Sequence, residues 1–347
     1  MKYSIIVPVY NRPDEVEELL QSLTEQELKD FEVVIVEDGS QKPCKDVCDK
    51  FADILDLHYY AKENGGPGQA RNYGAERAHG EWLIILDSDV VLPKGYLKAV
   101  ENGLSLECRA AFGGPDASHP SFTPVQKAIS YSMTSFFTTG GIRGGKKKLD
   151  KFYPRSFNMG IRRDVYLQLG GFSKMRFGED IDFSYRIVEA GYNPQLFPDA
   201  WVWHKRRTDF RKFFRQVYNS GIARINLEKR HPGTLKLVHL LPMVFTVGVI
   251  ALILLAAVAR AMIHYDAPHW HTWFWICLAA LFPILFYILV IFIDSSIQNK
   301  SLKVGLLSIP AAFTQLMGYG FGFIESWWKR CVMKKDEFQA FEKNFYK

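Results

Sequence analysis

Apolar and polar positions follow two different regimes along this 347-residue chain. In the first two thirds, short apolar runs alternate with helical patterns. Ser4-Ile5-Ile6-Val7-Pro8-Val9-Tyr10 is a β-rich run, after which Asn11-Arg12-Pro13-Asp14 turns the chain into a helix with Val16, Leu19, Leu20 and Leu23 on one face. Phe31 to Val36 reads as a second strand closed by Glu37-Asp38-Gly39-Ser40. A helix around Cys44–Phe51 and a weaker strand around Leu57–Ala61 follow. The glycine-rich Asn64-Gly65-Gly66-Pro67-Gly68 then opens a helix that runs through Ala78. Trp82 to Leu86 is unbroken apolar sequence, as suits a strand buried on both faces of a parallel sheet. Strand, helix, strand, helix, strand with short connections predicts an α/β domain with right-handed crossovers.

The second regime begins after Leu235. Leu237–Ala259 and Trp273–Ile293 each have about the 20 apolar residues that a membrane-spanning helix needs, with no internal Asp, Glu, Lys or Arg. Trp270, Trp273 and Trp275 are placed as an interfacial belt. Val304–Phe323 is a third candidate, interrupted by Pro310 and Gln315. These runs recast the charge of +6, much of which lies in Lys205-Arg206-Arg207, Arg211-Lys212, Arg215, Arg224 and Lys229-Arg230, just before the first run. In that place the cluster points to a cytoplasmic membrane surface rather than to nucleic acid. The first loop, Arg260 to Thr272, carries one arginine, whereas the second has Lys300 and Lys303. The expectation is a multi-pass protein of the inner (cytoplasmic) membrane with its N-terminal region facing the cytoplasm. A cytoplasmic tail requires the third run to be re-entrant or interfacial, and three full spans put the basic tail outside. The expected boundaries are 1–110 and 111–210 for two halves of the α/β domain, 211–236 for a basic juxtamembrane linker, and 237–347 for a membrane region with two or three apolar helices. The five cysteines have no metal-type pairing and read as reduced thiols. The first apolar run stops at Asn11-Arg12 without a small-residue cleavage site, so it reads as a strand and not as a signal peptide.

Chemistry collects where the strands end. In open α/β sheets ligands bind beyond the carboxyl ends of the strands. Here those ends are Pro8-Val9-Tyr10-Asn11-Arg12, Glu37-Asp38-Gly39-Ser40 and Asp87-Ser88-Asp89. Two carboxylates after a buried strand suit a hard cation, Mg²⁺ or Mn²⁺, bridging to a diphosphate. An acid after the second strand suits a ribose or base, and Arg71 on the glycine-loop helix is a candidate diphosphate partner. No Gly-x-Gly-x-x-Gly follows the first strand and no Walker lysine motif occurs, which argues against dinucleotide and P-loop proteins.

With Ser4-Ile5-Ile6-Val7-Pro8-Val9-Tyr10-Asn11, Val36-Glu37-Asp38-Gly39-Ser40, Asn64-Gly65-Gly66-Pro67-Gly68-Gln69-Ala70-Arg71-Asn72 and Leu86-Asp87-Ser88-Asp89 in this order, the chain resembles the family 2 glycosyltransferases of GT-A fold. The resemblance implies a Rossmann-like mixed sheet with flanking helices and a UDP- or GDP-sugar donor. It implies that Asp38 contacts the nucleoside, that Asp87 lies near ribose and metal, and that Asp89 ligates Mn²⁺ or Mg²⁺. The expected donor-binding set is Pro8, Tyr10, Arg12, Asp38, Asn64, Gly65, Arg71, Asp87 and Ser88, and the expected metal set is Asp89, Asp87 and His204. Glu179-Asp180, opening a predicted helix, matches the family's Glu-Asp motif, implying Asp180 as base with Glu179 beside it. A sugar alcohol is a poor nucleophile and needs such a base opposite the leaving diphosphate, which predicts inversion at the anomeric carbon.

Ala111–Arg155, rich in Gly, Pro, Ser, Thr and Lys, reads either as a loop or as an active-site lid. Asn219-Ser220 stand where processive members of the family carry Arg-Trp, which favours addition of a single sugar. The glycine-rich Gln315–Phe323 resembles the membrane region of bacterial exopolysaccharide enzymes of this family and implies an acceptor site there, with close helix packing as the other explanation. The resulting expectation is a metal-dependent glycosyltransferase acting on a lipid-linked or saccharide acceptor at the membrane. Transfer to polyprenyl phosphate, and an inactive membrane-tethered scaffold, are the alternatives.

Overall fold

The computed structural model describes residues 1–106, 110–119, 121–139, 152–265, 268–338 and 340. They form two compact units, the first from Met1–Pro120 and Lys147–Lys205, the second from Ser121–Lys146 and Arg206–Glu342.

The first unit opens with β1 (Tyr3–Val9), α1 (Pro13–Thr24), β2 (Phe31–Asp38), α2 (Lys45–Asp49), β3 (Leu57–Lys62), α3 (Pro67–Arg77) and β4 (Trp82–Leu86). These four strands pair in parallel in the order β3-β2-β1-β4. Their alternation explains why the sheet is covered on both faces. Ile5, Val7, Val9, Val33 and Ile35 pack on Val16, Leu19, Leu20 and Leu23 of α1. Ile6, Val34, Val36 and Ile85 pack on the other side against Ala70 and Ala75 of α3. After β5 (Val90–Val91), α4 (Tyr96–Leu106), β6 (Ala111–Gly113) and β7 (Asp116–Ala117), the chain contributes α5 (Pro124–Thr134) and α6 (Phe136–Thr139) to the second unit. It returns as β8 (Asn158–Arg162), α7 (Arg163–Gln168), α8 (Glu179–Glu189), β9 (Gln195–Leu196) and β10 (Val202–His204). β8 lies antiparallel to β4 and to β6, which completes a mixed seven-stranded sheet, β3-β2-β1-β4-β8-β6-β9. A second sheet has the order β5-β10-β7. Periodicity did not reveal β8, because Asn-Met-Gly-Ile-Arg has a single β-branched residue and no alternation; the strand is made by its neighbours.

At the opposite end from the strand carboxyl termini, the buried Glu32 staples three segments. One oxygen accepts from Ser4 Oγ at 2.5 Å and from the His79 amide at 2.6 Å, and the other lies 3.1 Å from His79 Nδ1. Burial alone would raise this carboxyl, but the hydrogen bonds from Ser4 and His79 outweigh it and hold Glu32 below its ordinary value. A carboxyl lowered on folding stabilises the fold above its unfolded value of about 4.3, and this is lost as pH falls through the folded value. Glu32→Gln is therefore expected to cost about 1–3 kcal/mol at neutral pH, and thermal melts at descending pH should show the gap to wild type closing below about pH 4.

The second unit is helical. α9 (Phe210–Arg230) is capped by Asp209, whose carboxylate accepts from the Lys212 amide at 2.7 Å. It is followed by α10 (Leu241–His264), α11 (Trp270–Asn299) and α12 (Leu302–Trp327). Among the described residues, three helical segments, Leu237–His264, Trp270–Asn299 and Leu302–Val332, are long and apolar enough to cross a membrane. α12 runs through Pro310 without a break. The first two segments are 17% and 11% buried over their most apolar windows against 44% for the third, so α12 is the one packed on within its unit. Its glycines account for that packing. A Cβ on Gly322 would stand 2.0 Å from the Tyr218 carbonyl oxygen of α9, and one on Gly320 would stand 2.1 Å from Thr246 Oγ1 of α10. The glycine run is thus a seam between helices, the close packing given as the other explanation of these residues.

The two units cut the chain differently from the boundaries that composition suggests. Residues 211–236, expected as a linker, are largely α9, ten of whose residues are buried. Part of 111–155 is ordered as β6, β7, α5 and α6, with a Thr123–Gln126 capping box starting α5. The glycine- and lysine-rich 140–151 lies outside the described residues.

Candidate active site

The first unit's strand ends converge as expected, and the convergence is built by hydrogen bonds between loops. Asn11, at a φ of +55°, donates its amide to Ser40 Oγ at 2.7 Å, while its side chain accepts from the amides of Gln41 and Lys42 at 2.8 and 2.9 Å. Ser40 in turn donates to Glu37. Gly39 has a φ of +73°, and a Cβ there would meet the Asn64 amide nitrogen at 2.7 Å. Only glycine allows this approach. Asp38 uses the proximity, accepting from the Gly65 and Gly66 amides at 2.9 and 2.8 Å and from Lys62 Nζ at 2.9 Å. The result is a pocket lined by Pro8, Tyr10, Asp38, Asn64, Pro67 and Arg176, among others.

At the end of β4 the acids are held by arginines. Arg71, on α3, is buried and donates to Asp87 at 2.7 Å and to Glu179 at 2.9 Å. It joins the Asp-Ser-Asp turn to the start of α8. Both of these contacts are carboxylates of the protein itself. Ser88, between the two acids, is also buried. Arg71→Met would leave Glu179 buried without its cation, and a loss of about 3–5 kcal/mol is expected, read by thermal melting of the purified protein.

Asp89 accepts from Arg12 through one oxygen, and its other oxygen lies 3.2 Å from His204 Nε2. His204 is delivered by β10, whose pairing with β5 sets His204 opposite Val90, next to Asp89. Its ring stacks on Phe157 at 5.0 Å, and its Nδ1 is 3.9 Å from Asp116. One ligand atom each from Asp87, Asp89 and His204 lie within 4.8 Å of one another. The two carboxylates are donors suited to Mn²⁺ or Mg²⁺, with the His204 imidazole within reach as a third.

The start of α8 completes the site. Burial and the neighbouring Asp180 charge push Glu179 up to about 7, against the pull of Arg71. Asp180 goes the other way. Burial opposes its ionisation, but Arg155, with Nε 2.5 Å from Oδ2, holds it below its usual range. The expected residues thus come from the ends of β1, β2 and β4, the glycine loop and α3, β10 of the second sheet and the start of α8, while Arg155, Asp116, Phe157 and Arg176 enter unforeseen. Asp116 and Arg155 sit in the stretch read only by composition, where no motif marks them.

This architecture is that of a GT-A glycosyltransferase domain. Residues 4–170 match the family model described as Glycosyl transferase family 2, and this part of the chain belongs to that family. The chain is 39% identical over 102 residues to a poly(ribitol-phosphate) beta-N-acetylglucosaminyltransferase, TarS, of Staphylococcus aureus, covering 28% of this chain and 18% of that protein. It is 26% identical over 250 residues to a pre-mycofactocin glycosyltransferase of Mycobacterium tuberculosis, covering 66% of this chain and 48% of the relative. The chain thus spans less than half the length of these two relatives. Among solved structures, the mannosyltransferase PcManGT of Pyrobaculum calidifontis, in complex with GDP-Man and Mn²⁺, has a TM-score of 0.56 at 17% identity, with 95% of this chain and 88% of that one covered.

Proposed function

We propose that this protein is a membrane-anchored, metal-dependent, inverting glycosyltransferase that moves a sugar from a UDP- or GDP-sugar to a saccharide or lipid-linked acceptor in cell-surface glycan synthesis. The observation that carries the reading is the meeting of Asp87, Asp89 and His204 at the end of β4, with the Glu179-Asp180 pair bound to the same turn through Arg71. The nucleoside end of the donor belongs to the pocket beside Asp38, whose carboxylate shapes the glycine loop that forms one wall. Asp87, Asp89 and His204 are the residues that would hold Mn²⁺ or Mg²⁺. Such a cation supplies charge neutralisation for the departing diphosphate. Asp180, kept ionised by Arg155, takes the proton of the acceptor hydroxyl as it attacks the anomeric carbon on the face opposite the diphosphate. One displacement of this kind inverts the anomeric configuration.

The three apolar segments supply the anchor, and the lysines at 300 and 303 favour a cytoplasmic catalytic domain in the inner membrane. The Staphylococcus relative is named for transfer of N-acetylglucosamine to poly(ribitol-phosphate), which supports a polymer that carries free hydroxyl groups as the class of acceptor. The test is nucleotide release by the full chain in liposomes from a panel of UDP- and GDP-sugars, with Mn²⁺ and with EDTA. Turnover of one donor, lost in EDTA, is expected. Absence of turnover with every donor, or full turnover in EDTA, goes against the reading.

A further inference from the structure

Residues 153–155 lie along α8 and are fastened to it at three consecutive positions. The Tyr153 ring meets Tyr185 edge-on at 4.9 Å, the Pro154 carbonyl accepts from Ser184 Oγ at 2.6 Å, and Arg155 Nε donates to Asp180 Oδ2 at 2.5 Å. Ser184 and Asp180 are four residues apart on the helix, so one face carries both the backbone anchor and the charge contact. Ser184 is fully buried and Asp180 nearly so, whereas the Arg155 side chain is 38% exposed. The other Asp180 oxygen accepts from the Ile181 amide at 2.9 Å. A carboxylate has about four acceptor positions, so two contacts fix its rotamer and still leave capacity for a substrate hydroxyl.

We infer that Arg155 is a positioning residue for sugar transfer, clamping Asp180 as an oriented carboxylate at the moment it receives the acceptor's proton. The inference rests on the proposed function, since it has meaning only if Asp180 is the base. Among the described residues, the charged groups acting on Asp180 are Arg155 and Arg71, which favour its ionised form, and Glu179, which couples to it with like charge; Arg155 also feels Glu179 and Asp116. Arg71 is committed to Asp87 and Glu179, so among the described residues Arg155 is the cation in contact with the base. A base must be unprotonated to work. Removal of Arg155 raises the Asp180 carboxyl, and the acidic limb of the rate profile moves to higher pH with it.

The experiment is a pH–rate profile of donor turnover with acceptor for wild type, Arg155→Lys, Arg155→Gln, Ser184→Ala and Asp180→Asn in the full chain. Arg155→Gln is expected to lower kcat by roughly tenfold to a hundredfold, to move the acidic limb up by about one pH unit or more, and to leave the donor KM unchanged. Arg155→Lys should restore part of the shift. Ser184→Ala, which loosens the anchor and leaves the charge, should lower kcat with a smaller displacement of the limb. A profile for Arg155→Gln that coincides with wild type overturns the clamp, and so does a raised donor KM at unchanged kcat, which would assign Arg155 to the donor. Full transfer by Asp180→Asn overturns the base assignment beneath it; a dead Asp180→Asn beside an unshifted Arg155→Gln overturns the clamp alone.

Discussion

Asp89→Asn is expected to lower sugar transfer by on the order of a thousandfold, with the fold retained. The amide is nearly the same size and its oxygen can still accept from Arg12, so the contacts between α1 and the β4 turn survive. The charge does not. Asp89 stands between Arg12 and His204 and is the acid common to both groups, so its neutralisation leaves Asp87 and His204 to hold a divalent cation alone. Rates measured against increasing Mn²⁺ should show a weaker dependence on the metal as well as a lower plateau. Wild-type turnover by Asp89→Asn at saturating Mn²⁺ would take the metal away from this turn and with it the proposed handling of the diphosphate.

Asp180→Asn should cut transfer by about 10²–10⁴-fold while donor binding stays within a factor of about two, because the change removes a proton acceptor and little else. The asparagine oxygen can still take the Arg155 hydrogen bond, and the pocket proposed for the nucleoside lies at the ends of β1 and β2, built from other residues. Nucleotide-sugar binding by calorimetry, set against turnover with acceptor, separates the two effects. Weakened donor binding with an unchanged maximal rate would make Asp180 a donor contact, and Glu179, pushed up to about 7, would become the group to test as base.

The parallel half of the fold was legible residue by residue. The runs at β1, β2 and β4 are too apolar to be anything but buried strands, and Gly39 and Gly66 stand at positive φ where the loops turn, as the motif residues suggested. The antiparallel addition at β8 was not legible, because a strand of mixed composition is specified by the partners on either side of it. The site divides the same way. Asp87, Asp89, Asp180 and His204 could be named from motifs, but the burial of Arg71 and Ser88 could not. A guanidinium two elements away from an acid looks the same in sequence whether it meets a phosphate or a protein carboxylate. The glycines of α12 carried the same ambiguity, and only the distances to Tyr218 and Thr246 show them to be packing.

The chain's own chemistry determined which side chains carry charge, which runs are apolar enough to be buried or to enter a bilayer, and which turns need glycine, because these are properties of single residues and their immediate neighbours. Tertiary structure alone decided how the charges pair. Arg71 went to Asp87 and Glu179, Arg155 to Asp180, and Arg12 with His204 to Asp89, from segments far apart in the chain. Electrostatic interaction depends on distance and on the burial of both partners, and neither is set until the sheet has brought its edges together.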